Sequence, residues 1–344
     1  MRNEISKILI DWYKLNMRTL PWRDTNDSYK IWVSEVILQQ TRVAQGLNYY
    51  LQFIERFPTV YTLAQSSEKE VLKQWQGLGY YSRARNLHQG AKKVVDEYNG
   101  ILPSTYKEII TIKGIGVYTA AAILSIAYNK PYAVVDGNVY RVLSRLFAID
   151  TPIDSTEGKK QFATLADNLL DRMRPGMHNQ ALMEFGALCC TPAQPLCQSC
   201  PLSHLCDANK LNMQVDFPVK SKKVNVRKRF FHYFNIKYKE YIYLNKRVDN
   251  DIWKNMYEFP LIETAKDTNL ADLMDSDSFK EIFKNTEIVI HSVSKKIKHV
   301  LTHQHIYAKF YVIEIVDSDL LLKKLFLRIN EEDISLYPIS RLIH

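Results

Sequence analysis

Five cysteines crowd into eighteen residues of this 344-residue chain, at Cys189, Cys190, Cys197, Cys200 and Cys206. The last four are spaced C-x6-C-x2-C-x5-C, and the C-x2-C pair is followed by Pro201. Four thiolates from one short stretch suit either a tetrahedral zinc or an iron–sulfur cluster, and spacing alone leaves both open. The other reading is buried thiols or disulfides. The N-terminus lacks the apolar core of a secretory signal, and no apolar run has the length to span a bilayer. The expected compartment is therefore the cytoplasm, where thiols stay reduced and clustered cysteines favour metal.

Charge and texture divide the rest of the chain. The net charge is +9, which suggests a polyanionic partner and says nothing about fold. From Met1 to Leu211, 24 basic residues face 19 acidic ones. Six basic residues then fall between Pro218 and Phe230 with no acid among them: Lys220, Lys222, Lys223, Arg227, Lys228 and Arg229. The remainder is near neutral. Residues 1–211 read as helical, with apolar positions at three- and four-residue steps in Ile31–Leu38 and Val134–Leu146. Turn residues interrupt them at Phe57-Pro58, Asn99-Gly100 and Leu102-Pro103, and Ser66-Ser67-Glu68 has the look of a helix start. After the cysteines, 230–238, 241–244 and 306–313 are aromatic and β-prone, with one helix candidate at 278–284. This predicts a separate α+β domain joined by a basic connector near 212–229.

Two features carry chemistry. Gly114 and Gly116, in Ile112-Lys113-Gly114-Ile115-Gly116-Val117-Tyr118, permit a tight turn before an Ala-rich helix. Bare N–H groups and a helix N-terminus there suit a phosphate. Glu35 is a carboxylate inside an apolar helical stretch, and Asp136 sits in Val134-Val135-Asp136-Gly137-Asn138 just before a helix. Read singly, each is structural, Asp136 as an N-cap. Read together, they supply what glycosidic cleavage needs: a carboxyl with its pKa raised by apolar neighbours to protonate the leaving group, and an ionised one to stabilise an oxocarbenium-like centre.

The segments Thr19-Leu20-Pro21-Trp22-Arg23, Trp32–Thr41, Gly77–Arg85, the hairpin at Gly114–Gly116, Val134–Val139 and the cysteine spacing together resemble the helix–hairpin–helix DNA glycosylases. The resemblance covers essentially all of 1–211 and is greatest to the adenine DNA glycosylases of the MutY family. It implies a mainly α N-terminal region: a six-helix barrel with helix–hairpin–helix over 28–131, and a cluster domain from 1–27 with 132–211. It implies a [4Fe–4S] cluster on Cys190, Cys197, Cys200 and Cys206, with Cys189 a spare thiol. Glu35 would protonate a flipped adenine and Asp136 support the sugar cation, assisted by Tyr118 and Asn138. Trp22, Arg23 and Gln180 match adenine-pocket positions, and Gln40 and Tyr80 match residues at the opened stack. The region 230–344 would be a Nudix-like lesion-recognition domain of α+β type. It lacks the G-x5-E-x7-R-E-x2-E-E signature of diphosphatases. Its Leu301-Thr302-His303 stands where many family members have Phe-Ser-His, so Thr302 and His303 become the candidate contacts to the lesion. The implied partner is double-stranded DNA with A:8-oxoguanine or A:G mispairs, bound by a monomer associated with the nucleoid.

Two alternatives remain at this level. A pyrimidine glycosylase/lyase of the endonuclease III type needs a lysine amine two residues after the second hairpin glycine, where this chain has Tyr118. A non-catalytic DNA-binding module with a redox cluster would have no use for both Glu35 and Asp136.

Overall fold

In the computed structural model of the chain, residues 2–221, 225–284, 286–317 and 319–343 are described; Lys222 and Lys223 of the basic run lie outside them. The chain divides into two units, Met1–Gln65 with Asn86–Lys222, and Ser66–Arg85 with Lys223–His344.

Helices come first: α1 (Arg2–Asn16), α2 (Ser28–Leu38), α3 (Val43–Arg56), α4 (Val60–Gln65), α5 (Glu68–Gln74), α6 (Ser82–Tyr98), α7 (Tyr106–Ile109), α8 (Val117–Ile126), α9 (Gly137–Leu146), α10 (Thr156–Leu169), α11 (Pro175–Leu188) and α12 (Asp207–Lys210). Among the described residues no strand precedes Arg227. The starts follow local chemistry. Asp27 caps α2 by accepting from the N–H groups of Tyr29 and Lys30. Ser67 and Glu70 form a reciprocal capping box on α5. Pro175 opens α11, where its missing N–H costs nothing. Leu9, Ile10, Val139, Leu143, Phe162 and Phe185 join α1, α9, α10 and α11 around one core. Gly186 lets α11 approach α9 closely, because a Cβ there would fall 2.6 Å from the Asn138 Cβ.

The second unit holds β1 (Arg227–Tyr238), β2 (Tyr241–Lys246), β3 (Tyr257–Glu258), β4 (Leu261–Thr264), α13 (Leu270–Asp275), α14 (Asp277–Phe283), β5 (Ile288–Val293), β6 (Ile297–Val300), β7 (Gln304–Ile315), α15 (Leu320–Leu325) and β8 (Leu327–Asn330). The strand order is β3-β2-β1-β7-β5, with β4, β6 and β8 pairing β1, β7 and β2. β1 and β7 run parallel, from Arg227 opposite Gln304 to Lys237 opposite Glu314. The two-residue period of β1 serves two cores. Phe231 and Tyr233 pack with Ile242, Leu244 and Ile306 on one face. Phe234 and Ile236 pack with Phe279, Phe283 and Ile313 on the other. Each such side chain contributes roughly 1.5–3 kcal/mol of burial. The helix expected at 278–284 is α14. α13 and α15, six residues each, are too short to show helical periodicity in the sequence.

Candidate active site

One hollow of about 780 Å³ in the first unit brings together most residues the sequence singled out for chemistry. Trp22, Arg23, Glu35, Tyr118, Asp136, Asn138 and Gln180 all line it. α2 is buried from Ile31 to Ile37, and Ser34 and Glu35 are the polar residues in that run. Ser34 satisfies its hydroxyl on the Ile31 carbonyl, 2.7 Å away, and Glu35 is the acid that α2 brings to the hollow. Its side chain is 8% exposed. Burial pushes its pKa up to about 7; the Tyr118 hydroxyl, donating to Oε2 at 2.7 Å, pulls the other way. Tyr118 lies in the first turn of α8, two residues after Gly116, the N-cap of that helix.

Asp136 is the N-cap of α9. Its Oδ1 accepts from the Val139 N–H at 2.7 Å and its Oδ2 from Asn138 Nδ2 at 2.8 Å. Burial raises this carboxyl as well, while those two donors and the nearby Arg141 lower it. Two hydrogen bonds and a helix N-terminus make Asp136 the better-supported anion of the pair. The N-cap role and a chemical role are therefore held by one side chain.

The pocket wall contains an ion cluster that the sequence analysis did not pick out. Glu184, on α11, receives Arg18 Nη2 and Arg23 Nη2 at 2.6 Å each. Arg23 Nη1 also donates to Glu184 Oε1 and to the Arg18 carbonyl, both at 2.9 Å. These donors hold the Glu184 carboxyl down at about 2. The Arg23 guanidinium is thus locked in place. Gln180 Oε1 accepts the Tyr13 hydroxyl at 2.9 Å. An acid inside Ala181-Leu182-Met183-Glu184-Phe185 is the same kind of signal that marked Glu35.

All five cysteines line a second, smaller hollow beside α9 and α11, and all are free thiols. Among the described residues, no group of three or more His, Cys, Asp or Glu side chains closes on one ion. Two arginines of α9 organise the cysteine loop. Arg145, 2% exposed, donates to Cys190 Sγ at 3.4 Å and to the carbonyls of Thr191 and Pro192 at 2.7 and 2.8 Å. Arg141 donates to the Cys190 carbonyl at 2.8 Å and to Asn138 Oδ1 at 2.8 Å. A hydrogen-bonded line therefore runs from the cysteine loop through Arg141 and Asn138 to Asp136.

The remaining candidates lie apart from the carboxylate hollow. Gln40 is exposed just after α2 with φ 56°. Gly114 has φ 85°, and the exposed loop Gly114–Gly116 leads into α8. In the second unit, Thr302 and His303 are exposed between β6 and β7. There the Tyr80 and Thr302 hydroxyls lie 2.6 Å apart, over a hollow also lined by Arg85, Trp253 and Leu301.

A family model for the HhH-GPD superfamily base excision DNA repair proteins matches residues 33–167, and one for the NUDIX domain matches 232–344. The adenine DNA glycosylase of Buchnera aphidicola subsp. Baizongia pistaciae (strain Bp) is 37% identical over 308 residues, 87% of this chain and 83% of that protein. The adenine DNA glycosylase of Arabidopsis thaliana is 35% identical over 91% of this chain, which spans 58% of that longer protein. Among solved structures, a thermostable thymine-DNA glycosylase is 28% identical with a TM-score of 0.57, covering 61% of this chain and 97% of its own. The helical helix–hairpin–helix region and the Nudix-like α+β region expected from the sequence are thereby both found.

Proposed function

The chain belongs to the adenine DNA glycosylase family, and we propose that it hydrolyses the N-glycosyl bond of adenine mispaired with 8-oxoguanine or guanine in duplex DNA. The observation that carries this reading is the pairing of two unlike carboxyls in one hollow, Glu35 buried against Tyr118 and Asp136 held by donors. A carboxyl near 7 is protonated often enough at neutral pH to donate to a leaving base. Asp136, braced as an anion, offsets positive charge developing on the sugar. Tyr118 orients Glu35, and Asn138 orients Asp136. Extruding the adenine costs a few kcal/mol, which Gln40 and Tyr80 help to offset at the vacated stack. In the second unit, Thr302 and His303 are the contacts to the base opposite the adenine, and Gly114 and Gly116 present backbone N–H groups to a phosphate.

Cys190, Cys197, Cys200 and Cys206 fit a [4Fe–4S] cluster: four free thiols surround one hollow, and the Arg145 guanidinium lies beside the Cys190 sulfur to balance thiolate charge. Bound there, a cluster supplies a rigid cross-link for the loop 190–206.

The test is one excision assay on A:8-oxoguanine, A:G and thymine-glycol duplexes, with and without alkali. Adenine release from the first two, with strand breaks only after alkali, is the expected result. Release of thymine glycol with spontaneous strand cleavage would refute the assignment.

A further inference from the structure

We propose that a second hollow, separated from the carboxylate hollow by a shared wall that includes Gln180, is the exit through which the excised purine leaves while the DNA product is still bound. This rests on the adenine-excision reading. The hollow, open to solvent, measures about 830 Å³ and shares Arg23, Ile126 and Gln180 with the carboxylate hollow. None of the residues at the Leu38–Val43 edge, which flanks Gln40, lines it. An extruded nucleotide comes in past that edge, and after cleavage the abasic sugar and its phosphates still stand there. A free base then leaves by another opening or waits for the DNA to dissociate.

The shared wall is unequal. Arg23 is held in place, because Glu184 and the Arg18 carbonyl take three hydrogen bonds from its two terminal nitrogens. Gln180 is half-buried, and its Oε1 accepts from Tyr13. Opening this door means turning one amide side chain and giving up its hydrogen bond from Tyr13, with no backbone movement. Beyond it, beside Arg174, the lining carries the neutral hydrogen-bonding side chains Thr25, Asn26 and Asn129. These match a purine, which is neutral and carries donors and acceptors around its edge. Two exposed methionines line this hollow from different elements, Met17 just after α1, 47% exposed, and Met177 in the first turn of α11, 38% exposed. Neither lines the carboxylate hollow.

The experiment uses the full-length protein, in excess over a duplex with radiolabelled adenine opposite 8-oxoguanine. Bond cleavage is read as alkali-labile strand, and base release as label passing a filter that retains the protein–DNA complex. In the wild type, label passes while abasic product DNA remains bound. Met177→Trp narrows the hollow and slows release on the order of tenfold with cleavage unchanged. Met17→Trp does the same from its own element, and Met173→Trp, outside the hollow and 81% exposed, changes neither rate. The exit is refuted if label stays with wild-type complexes until the DNA dissociates. It is also refuted if Met177→Trp and Met17→Trp both release base as fast as the wild type. Loss of cleavage in the wild type would overturn the excision reading itself, and the exit with it.

Discussion

Glu35→Gln separates stability from activity in a way that depends on pH. Glu35 has its pKa pushed from 4.5 up to about 7 by burial. A raised carboxyl means that the folded state binds the proton more tightly than the unfolded state does. The penalty for ionising it is absent below the unfolded pKa, grows between about 4.5 and 7, and is complete above 7. The full shift corresponds to about 3 kcal/mol, at about 1.4 kcal/mol per pH unit. Between about pH 5.5 and about pH 8.5 the penalty rises by about 2 kcal/mol. Glutamine has the shape of the protonated acid, its carbonyl still accepts from Tyr118, and it never ionises. Urea unfolding of wild type and Glu35→Gln at those two pH values should show the variant gaining about 2 kcal/mol relative to wild type on going to the higher pH. The same variant should lose excision by at least the 10²–10⁴ typical of a missing general acid, while still binding mispaired duplex. A stability gap that does not move with pH would refute the buried-acid argument. Single-turnover excision near the wild-type rate would refute the acid role.

Four further outcomes follow from the same geometry. Wild-type excision should fall as pH rises above about 7, as Glu35 loses its proton, and the fall should be absent from the residual activity of Glu35→Gln; pH–rate profiles of both proteins check this. Anaerobically purified protein should contain iron and sulfide in near-equal amounts, Cys197→Ser should lose most of both, and stoichiometric zinc without iron would overturn the cluster assignment. Borohydride should trap no covalent protein–DNA complex, because Tyr118 stands where a lyase has its amine and Lys113 is exposed before the hairpin turn; Thr302→Ala with His303→Ala should lower the ratio of A:8-oxoguanine to A:G turnover, by about 1–3 kcal/mol per lost base contact.

What the sequence disclosed was what is local. The cysteine loop, the Gly114–Gly116 turn and the Asp136 cap each depend on residues a few positions apart, and each has its local chemistry in the structure. Glu35 stood out because an acid in an apolar helical run needs a reason. The Arg18–Arg23–Glu184 cluster was not legible: its partners are 161 and 166 residues apart, and only the packing of α11 unites them. β1, β2 and β7 were visible through their aromatic, β-branched runs. β3, β4, β6 and β8 have two to four residues each and owe their pairing to neighbours supplied by the rest of the sheet. The same limit hid the inclusion of Ser66–Arg85 in the C-terminal unit, since polarity patterns describe a segment's faces and not its partner.

That inclusion bears on how the protein is made. Arg85 donates to the Lys254 carbonyl 169 positions later, Glu68 accepts from Asn255, and Lys73 donates to the Tyr337 carbonyl 264 positions away. A ribosome adding 5–20 residues per second emits the 66–85 segment roughly 10–30 s before Lys254 exists. During that interval Glu68, Lys73 and Arg85 await the residues they bond in the finished chain. Translation arrested at the basic connector should therefore yield a nascent chain with the 66–85 segment open to protease, and release past Tyr337 should protect it.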